Sequence, residues 1–389
     1  MTPFFRLVLH YTMIVVGSIA LAFFLLTLVS SPPPKTESVS QITSHSEPAT
    51  TSLPAVSATT TPVVNRITKI TQVQIAESVA TTAEEKIDDS VVGQVARIQN
   101  PYSFPRLSPA DLNTNTRNVL VNIFCSSSGS ISPVSGSGVI IDSRGVVLTN
   151  AHVAQYVLLS ENPAINLACT LRTGSPAKDT WKARVLYIPP IWVTEHVAEL
   201  NTSHPQGTGE HDYALLLIMG TSDGSPPPSQ FPYLPYDARE AVGFAGDEVL
   251  VASYPAEFIK GLATINNLYA ASSFTTVNKL LTFKTGSVDA ISLHGVIGAQ
   301  GGSSGGAVVN LWGRLIGLIT TTSDEATTAA RNLNALSLTY ISRDLEIQTG
   351  DDLATVLEGD LAAKKQTFDT NVLPALMNQY VARIKAPQY

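Results

Sequence analysis

The sequence predicts an all-β domain, either a sandwich or barrels, between an apolar N-terminal segment and a helical C-terminal tail. Residues 105–345 contain many short apolar runs that are separated by Gly, Pro, Asn and Ser, a pattern typical of antiparallel β-structure. This region is long enough to hold two barrels. Residues 346–389 instead carry apolar side chains at helical spacing.

Composition excludes several classes of function. Hydrophobic residues make up 44% of the 389 residues, charged residues make up 14%, and the formal net charge is −7. No cluster of Lys or Arg provides the basic surface that binds nucleic acid, so we expect no nucleic-acid partner. The two cysteines are too few for a disulfide-rich scaffold and form no C-x-x-C motif.

The first 30 residues predict a membrane anchor. Residues 7–29 are almost entirely apolar, and as a helix they would span about 34 Å, enough for a hydrocarbon core of about 30 Å. A cleaved signal peptide is the alternative, but its apolar region is usually about 7–15 residues long. Because a lone N-terminal span usually serves export, we predict a single-pass protein of the cell membrane with an extracytoplasmic main domain.

Residues 31–104 predict a disordered linker between this anchor and the β-domain. The stretch 32–63 is rich in Ser, Thr and Pro and includes the run TTTP at 59–62. Such a composition cannot bury enough apolar surface to offset the entropy lost on folding.

The domain at 105–345 opens with a helix and continues as strands. Ser108, Pro109 and Asp111 form a helix start, with Ser as N-cap, Pro at the first position and an acid in the first turn. The helix should end near Arg117. Strands are predicted at 119–125, 136–142, 146–150, 165–171, 181–187, 213–218, 248–253, 280–285, 287–293, 307–310, 315–320 and 335–341.

Three residues in this domain have the chemistry of acyl transfer. His152 follows a predicted hairpin, Asp212 directly precedes an apolar strand, and Ser304 lies in the glycine-rich loop 301–306. A serine hydroxyl is a weak nucleophile alone, and histidine can accept its proton near pH 7. A buried acid would orient that histidine and stabilise its cation.

The segments around these residues resemble the three motifs of chymotrypsin-fold serine proteases, in the same order. They read TNAHV at 149–153, HDYALL at 211–216 and GSSGG at 302–306. The flanking segments GSGVII at 136–141 and GRLIGL at 313–318 are similar to bacterial trypsin-like peptidases of the Htr/Deg type. The resemblance covers about residues 115–343.

The resemblance implies two six-stranded antiparallel β-barrels with a chymotrypsin-like arrangement. It also implies that Ser304 attacks the substrate carbonyl, that His152 is the general base and then the general acid, and that Asp212 orients His152. The backbone N–H groups of Gly302 and Ser304 would form the oxyanion hole. Proteins or peptides would be the substrates, and no cofactor is expected. The tail is too short for the PDZ domain that many Htr/Deg proteases carry.

Some positions depart from the family pattern or extend it. Ser303 stands where zymogens carry an aspartate that pairs with a new N-terminus, so we expect activity without N-terminal clipping.

The specificity pocket should be formed by Gly298, Ala299, Thr320 and Thr321. Because none of these is acidic, the pocket should be neutral and should favour small or medium apolar side chains.

Two features of the first half of the domain leave alternatives open. Cys125 and Cys169 would lie on neighbouring strands of the first barrel, either as a disulfide or as two small buried apolar side chains. The insertion at 187–209 could contact substrate as a flap or form a variable surface loop. The three histidines in or beside it fit no common zinc spacing, so no metal is expected; they are His196, His204 and His211.

The tail at 346–389 has two possible roles. Apolar stripes within 351–384 should pack on the second barrel, or else mediate oligomerisation or gate the cleft.

We predict a membrane-anchored extracytoplasmic serine endopeptidase. The alternative is a catalytically inactive protease-fold binding module that is displayed on a membrane stalk.

Overall fold

The computed structural model describes residues 100–127, 131–200, 208–256, 267–283, 287–294, 301–322 and 333–385. Strands in this part of the chain form two closed six-stranded antiparallel β-barrels, which confirms that part of the predicted fold class. The predicted anchor at 1–30 and the predicted linker up to residue 99 lie outside the described residues. Within the described ranges, no helix is both long enough and apolar enough to cross a bilayer.

The first barrel has a core of aliphatic side chains from every strand. All four residues of its third strand are buried, as are the first four of its first strand. Cys125 faces Cys169 where the first and fourth strands close the barrel, and a disulfide joins them. Its strands are β1 (Leu120–Ser127), β2 (Val134–Asp142), β3 (Val146–Thr149), β4 (Leu167–Thr173), β5 (Lys178–Tyr187) and β6 (Ala214–Thr221), paired in the order β1-β2-β3-β6-β5-β4.

The second barrel repeats this architecture. Its strands are β7 (Glu248–Ser253), β8 (Ala271–Leu281), β9 (Ala290–Leu293), β10 (Ala307–Asn310), β11 (Leu315–Thr322) and β12 (Leu333–Ser337), paired in the order β10-β11-β12-β9-β8-β7. The predicted strand at 280–285 is misplaced, because β8 occupies the residues before it. Most β8 side chains are exposed or half-buried, so this strand lacks the apolar pattern that reveals the others.

Two helices flank the barrels: α1 (Pro109–Asn118) contacts strands β7 and β8, and α2 (Ala151–Ser160) contacts strands of the first barrel. Helix α1 confirms the predicted helix start, since the Ser108 side chain accepts a hydrogen bond from the Asp111 amide. Helix α2 follows β3 directly and was not predicted. Seven of its ten residues are buried, and a helix that is buried on nearly all sides lacks the one-sided apolar stripe that marks a surface helix.

Helix α3 (Pro190–His196) lies between β5 and β6 in the chain. The next helix, α4 (Leu338–Thr349), replaces most of the strand that was predicted at 335–341. The strand β12 ends at Ser337, whose side chain caps α4 by accepting a hydrogen bond from the Tyr340 amide. Helix α4 also runs across the predicted domain boundary at residue 345.

The tail packs on the first barrel, not on the second as predicted. It forms α5 (Leu353–Leu357), α6 (Leu361–Asn371) and α7 (Leu373–Lys385). Helix α6 lies against β5, and α7 lies against α2 and α3. Lys365 of α6 is buried between Glu161 and Asp369. The apolar stripes predicted that one face of each helix is covered, but they did not identify the surface that covers it.

Two segments outside the predicted strands also pack against the domain. In the insertion at 187–209, Trp192 of α3 is buried and stacks on His196 with ring centroids 4.8 Å apart, so this part is a packed element; residues 201–207 lie outside the described ranges. Tyr102 falls within the predicted linker, yet its hydroxyl donates to Asp237 at 2.7 Å and accepts from Asn310 at 2.9 Å. Contacts with the second barrel therefore begin before residue 105.

Candidate active site

His152 lies at the start of α2, directly after β3. The first amides of a helix have no partner within the helix, and the His152 amide donates to Asp212 Oδ1 at 2.9 Å. The imidazole Nδ1 is 2.7 Å from Asp212 Oδ2. The acid therefore binds both the main chain and the side chain of His152, and the positive end of the helix dipole favours its negative charge.

Asp212 is held from three directions. Besides the two contacts from His152, its Oδ2 accepts a hydrogen bond from the Thr320 hydroxyl at 2.8 Å. Its main-chain carbonyl accepts one from the side-chain Nδ2 of Asn150 at 2.8 Å. The Asp212 side chain is 7% exposed, whereas that of His152 is 29% exposed. The acid is thus shielded, while the imidazole can reach a bound molecule.

The pKa values of this pair shift in opposite directions. Burial alone would raise the pKa of Asp212, but the charge of His152 and the hydrogen bonds from His152 and Thr320 lower it overall. Burial alone would lower the pKa of His152, but the Asp212 carboxylate raises it overall. An ionised Asp212 favours the tautomer with a proton on Nδ1, which leaves Nε2 free to accept one.

The loop at 301–306 requires glycine at two positions. Gly302 has φ +90°, and a Cβ there would lie 2.8 Å from the Ala256 Cβ and 2.9 Å from the Tyr254 carbonyl oxygen. Gly305 has φ +85°, and a Cβ would lie only 1.9 Å from the Ser137 carbonyl oxygen. Side chains are excluded at both positions, so the loop packs its backbone directly against its neighbours.

This packing directs two backbone N–H groups away from the partners of the preceding carbonyls. The carbonyl of Gly301 accepts a hydrogen bond from the Ala256 amide at 2.7 Å, and that of Ser303 accepts one from the Gly306 amide at 2.9 Å. In a trans peptide the N–H points opposite to the carbonyl, so the amides of Gly302 and Ser304 point away from these partners. Among the described residues, neither amide donates a hydrogen bond.

Thr320 connects the nucleophile candidate to the acid. The Ser304 hydroxyl donates to the Thr320 carbonyl at 3.4 Å, and no hydrogen bond joins it to His152 in the described part of the chain. Since the Thr320 side chain also binds Asp212, a single residue touches both sides of the site. A long, weak serine contact is common before substrate binds.

The comparison with known families agrees with this geometry. Residues 136–318 match the family model described as a trypsin-like peptidase domain. The matched range runs from β2 to β11 and includes all three residues of the predicted catalytic set. The two barrels form a trypsin-like peptidase domain. The predicted resemblance to chymotrypsin-fold peptidases is thereby confirmed, whereas the closer Htr/Deg likeness stays a prediction. No curated protein matches the chain significantly in sequence.

Ser137 is a residue of the candidate site that the sequence did not single out. Its amide donates to the Ser304 carbonyl at 2.7 Å, and its hydroxyl donates to the Gly302 carbonyl at 2.8 Å. The same hydroxyl accepts a hydrogen bond from the Tyr254 amide at 2.9 Å. A serine between two glycines of a strand gives no sequence signal for this role, beyond its place in the GSGVII segment.

The predicted specificity residues of the peptidase domain have different outcomes. Gly298 and Ala299 lie outside the described residues. Thr320 is buried and directs its hydroxyl at Asp212, so its side chain cannot line a pocket, although its main chain borders Ser304. Thr321 pairs with Asn334 in the sheet. Ser303 is buried, and its hydroxyl accepts a hydrogen bond from Ser253 at 3.1 Å.

His211 forms a second polar cluster beside the acid. Its backbone is left-handed, with φ 61°, and its Nδ1 lies 3.0 Å from Asp344 Oδ2 of α4. Asp344 also accepts a hydrogen bond from the Tyr213 hydroxyl at 2.9 Å, and the His211 amide donates to the Tyr340 hydroxyl at 3.0 Å. Among the described residues, no group of three or more His, Cys, Asp or Glu is arranged to hold a metal; His204 lies outside them.

The His211–Asp344 pair predicts a pH-dependent stability. Burial alone would lower the pKa of His211, but Asp344, Glu210 and Glu195 raise it overall. Its stabilising contribution is therefore complete below the ordinary value of about 6.5 and is lost as pH rises through the raised pKa. We expect His211→Asn, which tolerates the left-handed backbone, to lose about 1.5–3 kcal/mol at about pH 6, typical of a charged hydrogen bond.

Urea unfolding between about pH 5.5 and 9 measures this effect, because the loss should shrink as pH rises. Asp344→Asn is the control and should show the same trend, and the double variant should lose no further pH-dependent stability. A loss that stays constant or grows towards alkaline pH would show that the pair is not ionic.

Proposed function

We propose that this protein is a membrane-anchored extracytoplasmic serine endopeptidase that acts through an acyl-enzyme. The observation that carries this proposal is the pair of His152 and the buried Asp212, which Thr320 links to Ser304 within a trypsin-like peptidase domain. This set supplies a base, an acid that orients it, and a nucleophile.

The proposed reaction has two stages. Ser304 Oγ attacks the substrate carbonyl while His152 Nε2 accepts the hydroxyl proton, and His152 then returns this proton to the leaving amine. Water, activated by the same imidazole, hydrolyses the acyl-enzyme and restores Ser304. Asp212 stabilises the imidazolium at both stages, in keeping with its lowered pKa.

The backbone of the serine loop supports the proposed oxyanion hole. The N–H groups of Gly302 and Ser304, which have no acceptor among the described residues, would bind the negative oxygen of the tetrahedral intermediate. The loss of one such donor typically costs about 10²–10³ in rate. The hydrogen bonds to the carbonyls of Gly301 and Ser303 favour this orientation without a newly cut N-terminus, since Ser303 binds Ser253 instead of a terminal amine.

A catalytically inactive binding module is the second candidate. One observation favours it: the Ser304 hydroxyl donates to the Thr320 carbonyl instead of His152. A binding module would keep this arrangement when a peptide occupies the cleft. A peptidase would turn the hydroxyl towards His152 when substrate binds.

A fluorophosphonate probe distinguishes the two candidates. We expect the uncut full-length protein to be labelled, because His152 activates the serine hydroxyl for attack at phosphorus. Ser304→Ala should abolish labelling. Ser303→Ala is the matched control, since it removes the neighbouring hydroxyl, and it should retain labelling. Mass spectrometry of the labelled peptide measures the outcome.

Two results would contradict the proposal. A folded protein that is never labelled would favour the binding module. Loss of labelling in Ser303→Ala with retention in Ser304→Ala would show that the nucleophile is Ser303 and not Ser304.

We also propose a neutral specificity pocket. No acidic residue is present among the four positions assigned to the pocket, and the Thr320 side chain is engaged with Asp212. We expect cleavage in a peptide library after small or medium apolar residues, preferred about tenfold or more over Arg and Lys. A preference for basic residues would contradict this expectation.

Membrane anchoring is proposed from residues 7–29, and the Cys125–Cys169 disulfide supports an oxidising compartment. We expect the full-length protein to sediment with membranes and to resist alkaline extraction, because an apolar span of this length inserts stably. A variant without residues 1–30 should not sediment. Release of the intact full-length protein by alkali would contradict anchoring.

A further inference from the structure

The tail reaches the helix that carries His152 through a short chain of buried polar contacts. Tyr380 of α7 is fully buried, and its hydroxyl donates to the side-chain carbonyl of Gln155 at 3.2 Å. Gln155, on α2, is 6% exposed, and its side-chain amide nitrogen donates to the main-chain carbonyl of His152 at 2.9 Å. Two consecutive hydrogen bonds therefore connect the tail to the backbone of His152.

The same tail also holds the other end of α2. Glu161 follows the last residue of α2, and its side chain is 5% exposed. Its Oε2 lies 3.4 Å from Lys365 Nζ of α6 and 2.5 Å from the Arg184 guanidinium, while its Oε1 accepts from the Val185 amide. Helix α2 is thus bound by α7 near His152 and by α6 at its C-terminal end.

The Tyr380 hydroxyl determines which way the Gln155 amide faces. A glutamine side chain has an acceptor on one side and donors on the other. With the tyrosine hydroxyl as donor, the oxygen faces α7 and the nitrogen faces the His152 carbonyl. Without that hydroxyl the oxygen would be buried without a donor, which costs about 1–3 kcal/mol. A flipped amide would place its oxygen against the His152 carbonyl, where repulsion would displace one of them.

The Tyr380 hydroxyl remains a hydrogen-bond donor at neutral and mildly alkaline pH. Burial raises the pKa of Tyr380 well above its usual value, so the phenol stays protonated at neutral and mildly alkaline pH. Helix α7 itself is held on the neighbouring elements, since Arg383 donates to the Ala198 carbonyl and Gln379 donates to Thr194. The donor is therefore fixed in both protonation and position.

We infer that Tyr380 and Gln155 are positioning residues for His152, and that the tail acts as an intramolecular brace of the catalytic helix. The inference rests on the proposed function, because it assigns the brace a role in proton transfer from Ser304. Neither residue touches substrate in this arrangement. A displacement of about 1 Å in a catalytic group can cost about 10²-fold in rate, so a small movement of the His152 backbone should lower kcat and leave KM nearly unchanged.

Two substitutions in the full-length protein test the two bonds separately. Tyr380→Phe removes the donor to Gln155 with little change in volume. Gln155→Glu keeps an acceptor for Tyr380 but removes the donor to the His152 carbonyl. We expect each to lower kcat for a peptide substrate by about 5–50-fold, within the range of a misplaced group, with KM changed less than about twofold. Because both act through one chain of contacts, the double variant should lose no more than about the larger single effect.

Leu357→Met is the matched control in the same tail. Leu357 is buried in α5, which packs on α4, and this substitution should loosen the tail packing by up to about 1.5 kcal/mol without touching the contacts of α6 or α7 with α2. We expect its kcat to stay within about twofold of the wild-type value. Thermal unfolding, measured in parallel, establishes that all variants are folded at the assay temperature.

Fluorophosphonate labelling of the wild-type protein, in the same series, separates the inference from the proposed function. Labelled wild type with slower labelling of Tyr380→Phe supports both. Labelled wild type with an unchanged Tyr380→Phe rate and kcat overturns the brace alone, as does an equal loss in Leu357→Met. An unlabelled, folded wild-type protein overturns the proposed function and the brace with it.

Discussion

The site depends on the hydrogen bonds that Ser137 makes across the interface between the two barrels. His152 and Asp212 belong to the first barrel, whereas Ser304 belongs to a loop of the second. Ser137 binds the carbonyls of Gly302 and Ser304 and accepts from Tyr254. Each such bond contributes only about 0.5–1.5 kcal/mol, so their importance is geometric. The Ser137 carbonyl in turn occupies the space that a side chain at position 305 would need, which fixes the loop at contact distance.

The sequence predicted the three chemical groups of the proposed site, and the contacts that arrange them came only from the structure. His152, Asp212 and Ser304 lie in recognisable segments because their chemistry restricts the residue types around them. Ser137, Thr320 and Gln155 act through single hydrogen bonds, and many polar residues could occupy such positions in a sequence. Only the closed barrels bring Thr320 to Asp212, 108 positions earlier in the chain. Its side chain was therefore assigned to the specificity pocket, although it faces the acid.

The fold was predicted best where one face of an element is buried. The strands of the first barrel have apolar runs with clear turns, and ten of the twelve strands overlap closely with their predicted positions. Helix α2 was missed because its burial on nearly all sides hides the helical period. Strand β8 was misplaced because few of its side chains are buried. The tail helices were recognised, but their location on the first barrel involves distant partners, such as Glu161 for Lys365, and a stripe pattern contains no information about such partners.

The contact between Tyr380 and Gln155 also has a consequence for the timing of biosynthesis. The two residues are 225 positions apart, so ribosomes that add about 5–20 residues per second need roughly 10–45 s between them. During that interval the nascent first barrel contains its histidine and its acid but not the final support of α2. Under the proposed brace, full catalytic competence is therefore reached only after the tail has emerged from the ribosome.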